Sequence, residues 1–74
     1  MGFNKYYVPE PAELAKQISE KGPTGFFSDR KIDAMIGSTE SVRMVELVLG
    51  LLKLKTPDSD IQETLKGKFP AYFN

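Results

Sequence analysis

The stretch that most limits how this chain can fold is Val42 to Leu54, V-R-M-V-E-L-V-L-G-L-L-K-L, in which nine of thirteen residues are Val, Leu or Met. Only Arg43, Glu46, Gly50 and Lys53 interrupt them. On a helix, their spacings of three, four and three gather those four into one narrow strip. Everything around the strip is apolar. A surface helix shows a single apolar stripe, whereas one that is apolar almost all round packs against several neighbours. The pattern therefore predicts a longer apolar central helix with the rest of the chain wrapped around it.

Capping and punctuation set the other elements. Pro9 and Pro11 bracket Glu10, and proline suits the first turn of a helix, where its missing N–H has no intrahelical partner. A first helix is predicted from Pro11 to Lys21, with Ala12, Leu14, Ala15 and Ile18 inward and Gly22-Pro23 stopping it. Gly22-Pro23-Thr24-Gly25 reads as a turn. Ser28 reads as the N-cap of a second helix over Asp29 to Ile36, with Phe27 and Ile32 as its hydrophobic staple and Gly37 as its end. Ser38 or Thr39 caps the central helix, and Glu40 in its first turn suits the macrodipole. Gly50 marks either a close approach by another backbone or a weak point. Pro57 ends that helix. Either Thr56 with Pro57, or a Ser59–Gln62 capping box, starts a fourth helix that runs to Lys66 and stops at Gly67.

No stretch shows clean period-two alternation between turn signals, so no sheet is expected. The fold class is all-α: a single domain over residues 1–74, a small bundle of about four helices, three short ones around the longer apolar one, with extended aromatic termini. A core of this size supplies only about 3–5 kcal/mol unless something staples it. The chain contains no Cys and no His, which leaves association with a partner or a second copy as the usual further source of stability.

The same absences bear on chemistry. Nucleophilic hydrolysis wants a Ser, Thr or Cys with a base, usually His. Cys/His metal sites need residues this chain lacks. Asp58, Asp60 and Glu63 have neither the glycine nor the distant glutamate of a calcium loop, and they sit where a helix N-terminus attracts carboxylates. No glycine-rich phosphate loop is present. The expectation is a protein that is not an enzyme and has no catalytic, cofactor-binding or metal-binding residues. Ten Lys and Arg balance ten Asp and Glu, with the signs interspersed, which does not favour nucleic-acid or anionic-membrane binding. No run is long enough to span a bilayer, and M-G-F-N-K-Y-Y has no signal-peptide core. The expected setting is cytoplasmic, or a host cytoplasm or virion for a phage-encoded chain.

Two constellations suggest function. Six of eight aromatics, Phe3, Tyr6, Tyr7, Phe69, Tyr72 and Phe73, fall in the first seven and last six residues. Either the ends pack together as a lid on the core, or they are anchors for pockets on another chain. Tyr72, Phe73, Phe69, Tyr6 and Tyr7, with Met44 and Leu51 from the central helix, are the candidate protein-binding residues. The second constellation, Ile36-Gly37-Ser38-Thr39-Glu40-Ser41-Val42-Arg43, resembles the turn and recognition-helix start of small bacterial helix-turn-helix repressors. It departs from their pattern at Asp33, Ser38 and Arg43. The resemblance implies Ser41, Arg43 and Glu40 as DNA-contacting residues.

The reading the sequence favours is a small protein-binding module, that is, an adaptor, inhibitor or assembly factor of a size that suits a phage or mobile-element product. A helix-turn-helix regulator is the alternative, and a minor structural subunit of a larger assembly is the third reading.

Overall fold

A computed structural model of the chain describes residues 5–28 and 34–73. These residues are mostly helical. In chain order they form β1 (Lys5–Tyr7), α1 (Pro11–Lys21), α2 (Pro23–Phe27), β2 (Ala34–Ile36), α3 (Thr39–Lys53) and α4 (Asp58–Lys68). Among them no helix is long and apolar enough to cross a membrane.

The bounds of α1 are those its prolines and glycine predict. It buries Leu14, Ala15 and Ile18, while Ala12, expected inward, is exposed. Gly22 ends it with φ +81° and ψ 152°, and its N–H donates to the Ile18 carbonyl at 2.7 Å. A side chain is strained in that conformation. A Cβ at Gly22 would also stand 3.1 Å from Asp58 Oδ2.

The expected turn at Gly22–Gly25 is instead the first turn of α2, with Pro23 at its first position. The orphan N–H of Thr24 is satisfied from outside the helix, where Asp58 Oδ1 accepts from Thr24 N at 3.3 Å and from Thr24 Oγ1 at 2.5 Å. Phe26 and Phe27 are buried with their rings edge to face, centroids 4.7 Å apart and planes at 85°. Ser28 does not lead a helix over Asp29 to Ile36. It follows α2, and its Oγ donates back to the Gly25 carbonyl at 3.4 Å. Residues 29–33, including Ile32 of the expected staple, lie outside the described residues, and residues 34–36 are strand.

The four helices fit the all-α class, and what that strand corrects is the expectation that no sheet would form. β1 and β2 pair in parallel, with Lys5 beside Ala34, Tyr6 beside Met35 and Tyr7 beside Ile36. The ladder continues as Val8 N donates to the Ile36 carbonyl at 2.9 Å. Gly37 makes the crossing possible. A Cβ there would overlap Val8 Cγ2 and lie 3.2 Å from the Val8 carbonyl oxygen. Gly37 is thus a close-approach glycine and not a helix stop.

Ser38 caps α3, its Oγ accepting from Ser41 N at 3.2 Å. The helix buries Ser41, Met44, Val45 and Val48, and Arg43, Glu46, Gly50 and Lys53 form an exposed strip. It packs against α1, α2 and α4. No close approach occurs at Gly50, where a Cβ would meet nothing within 4 Å. The C-terminus closes as a Schellman motif, with Lys55 at φ 59°, Lys55 N donating to Leu52 O and Thr56 N to Leu51 O, both at 3.0 Å.

α4 starts at Asp58 behind Pro57 with no side-chain cap, so neither Thr56 nor Ser59 takes the role expected of it. Gln62 does not form a capping box; its amide donates to the Ile18 carbonyl of α1 at 3.5 Å. The helix passes through Gly67 to Lys68. Ile61 and Leu65 join Val8, Leu14, Ile18, Phe26, Phe27, Met44, Val45, Val48 and Phe73 in one core.

Candidate protein-docking surface

The residues singled out from the sequence fall into three environments. Met44 is fully buried, and Phe73, 4% exposed, is held in the core after α4, its N–H donating to the Phe69 carbonyl at 3.1 Å. Phe69 and Leu51 are half-buried against the same core. Met44 and Phe73 therefore stabilise the fold and present no surface. Burying a side chain of that size contributes about 1.5–3 kcal/mol.

Tyr7 and Tyr72 are different. Tyr7 is 70% exposed and Tyr72 37% exposed. Tyr7 is fixed by the strand pairing, and its ladder partner Ile36 is 40% exposed. Directly paired residues of parallel strands share a face, so these two side chains stand side by side. Tyr6 is paired with Met35 in the ladder, and its side chain lies outside the described residues, as does all of Phe3. Sequence reasoning missed Ile36 because it placed that residue at the end of a helix over Asp29 to Ile36, where the chain is strand. A three-residue strand carries no periodicity that could have corrected this.

The pairing is anchored at both ends. Beyond Tyr7, Val8 is buried against Gly37. One residue further, the Pro9 carbonyl accepts a 2.7 Å hydrogen bond from Ser41 Oγ. Two-stranded parallel ribbons have little stability of their own, so these contacts hold Tyr7 in place. A tyrosine so held combines a large apolar body, a polar tip and a low ordering cost, the properties favoured at interface centres.

The residues implied by the repressor resemblance do not assemble as that motif requires. Arg43 and Glu40 are exposed, but Ser41 is fully buried and its hydroxyl is committed to Pro9 and Ser38. A strand, not a helix, runs into Gly37 at residues 34–36. Asp58 is committed to capping α2, and among the described residues no cluster of three or more His, Cys, Asp or Glu could hold a metal ion. Compared with known proteins, the chain matches no family model, no curated protein and no solved structure.

Proposed function

We propose that this is a small non-enzymatic protein-binding module, an adaptor, inhibitor or assembly factor, that docks through the apolar surface around Tyr7, Ile36 and Tyr72. The observation that carries this reading is the exposure of the Tyr7–Ile36 pair on a strand ribbon fixed to the core. Large exposed apolar groups held rigidly mark binding surfaces more often than singly scattered ones do.

The path of the chain supports grouping Tyr72 with them. Pro9, just before α1, is tied to Ser41 at the start of α3, so these two helices begin at the same end. The last turn of α1 and the first of α2 are tied to the start of α4 through Gln62 and Asp58. In this arrangement α3 is the long helix around which the shorter ones pack, and α4 returns toward the end that carries the strands, bringing Tyr72 with it.

The test is capture from the source cell's lysate by the tagged native chain and by Tyr7→Ser and Tyr72→Ser variants, with nuclease present. A stoichiometric protein held by the native chain and lost by a variant of unchanged melting temperature supports the module. Capture that both variants retain, or co-purifying nucleic acid with every protein lost to nuclease, overturns it.

A further inference from the structure

We propose that the outer face of α3 is a self-association surface on which a second copy of the chain docks antiparallel, centred on Gly50. The buried residues Ser41, Met44, Val45 and Val48 define the inner face of this helix. At 3.6 residues per turn Gly50 points directly away from them, and the space over it is open, with nothing within 4 Å of a Cβ built there. A glycine in an exposed helix interior weakens the helix relative to alanine, and no contact within the chain requires it here. A second helix crossing at this point would use the missing Cβ to come close.

The side chains around Gly50 select the occupant. Leu54, 77% exposed, and the half-exposed Leu47 lie along one side of it, and the exposed Glu46 and Lys53 lie along the other. Each pair is seven residues apart, two helical turns. A two-fold axis through Gly50 that sets two copies of α3 antiparallel keeps each side facing itself and reverses its direction. Leu47 then meets Leu54 of the second copy, and Glu46 meets Lys53 of the second copy, each contact occurring twice. A parallel two-fold arrangement would instead set the Leu47 and Leu54 side of one copy against the Glu46 and Lys53 side of the other, leaving both leucines and both charges without a matching partner. Among the described residues neither Glu46 nor Lys53 has an ion-pair partner within its own chain, so both are free for this one. The overlap is about two turns, well short of a standard interface, so the association is weak. It shares no residue with the Tyr7 surface and stands or falls separately.

Sedimentation equilibrium of the full chain, from about 10 µM to about 1 mM, spans the range in which weak complexes populate. The mass is expected to rise from 8.3 kDa toward twice that value. Leu54→Glu, at a position too exposed to matter for folding, should weaken association at least about tenfold. Glu46→Lys and Lys53→Glu should each weaken it, and the two together should restore it. A mass of 8.3 kDa at every concentration, a dimer indifferent to Leu54→Glu, or a double charge reversal no better than its single components would each overturn the proposal.

Discussion

Ser41 Oγ donates a 2.7 Å hydrogen bond to the carbonyl of Pro9, thirty-two residues earlier in the chain. It is the one buried polar side chain in the described core, and it fastens the segment carrying Tyr7 to the first turn of α3. Removing a buried hydrogen bond and leaving a carbonyl unpaired costs about 1–3 kcal/mol. Ser41→Ala should therefore lower the urea midpoint with little change in slope. It should also lower the melting temperature by about 4–8 °C per kcal/mol in a domain of this size. A melting temperature equal to that of the native chain would show that the clamp contributes nothing.

Gly37 and Gly50 should respond to alanine in opposite directions. At Gly37 the new Cβ would run into Val8, whose carbonyl is 3.2 Å away and whose side chain overlaps it. Overpacking of that kind costs about 1–3 kcal/mol. At Gly50 the new Cβ enters open space in a helix interior, where alanine is about 1 kcal/mol better than glycine. Both effects are to be read from denaturation at low micromolar concentration, where the monomer dominates. Val8→Ala in the Gly37→Ala background should recover part of the loss, and strict additivity of the two substitutions would argue against the close approach.

Lys55 holds φ 59° at the end of α3, a place that usually goes to glycine. Lys55→Gly should stabilise the chain by about 0.5–1 kcal/mol, because the left-handed conformation costs a side-chain-bearing residue more than it costs glycine. Lys55→Val, a branched residue at the same φ, should destabilise it. A thermal melt that ranks Val above Gly would refute this account of the C-cap.

Asp58 supplies the cap that α2 lacks locally, and Asp58→Ala should cost about 0.5–2 kcal/mol, the range for loss of an N-cap. Because the acceptor acts on Thr24 across 34 residues of chain, a double-mutant cycle with Thr24→Val should show coupling between α2 and α4. Simple additivity would mean that the contact carries no energy.

This long-range cap also explains what was legible in the sequence and what was not. α1 is bounded by local signals, Pro11 and Gly22, and α3 starts at the local cap Ser38, whereas its end at Lys53 is closed by the Lys55 turn ahead of Pro57. The strip Arg43, Glu46, Gly50, Lys53 is exposed as the period of the helix implies. α2 looks like a turn because Pro23 and Gly25 are turn residues, and what keeps it helical is a carboxylate from α4. β1 and β2 are too short to show alternation and are specified by one another and by the Val8–Gly37 contact. Of the candidate surface, the aromatic clustering pointed to Tyr7 and Tyr72. It could not separate Tyr72 from its neighbour Phe73, because burial at the end of a chain depends on where the preceding helix is docked.

That separation gives a measurable contrast between adjacent residues. Phe73 is 4% exposed and Tyr72 37% exposed. Truncating a buried phenylalanine to alanine costs about 3–5 kcal/mol, comparable with the about 3–5 kcal/mol that a core of this size supplies in total. Phe73→Ala should therefore leave the chain largely unfolded at room temperature, with loss of the helical far-ultraviolet signal. Phe73→Leu, which keeps most of the volume, should stay folded at a cost under about 1.5 kcal/mol. Tyr72→Ala should change stability by no more than about 0.5 kcal/mol, as surface substitutions do. Only Tyr72 among the tail aromatics can then be altered to probe docking without disturbing the fold. If Phe73→Ala and Tyr72→Ala melt together near the native temperature, the tail is not part of the core, and Phe73 rejoins Tyr72 as a residue open to a partner.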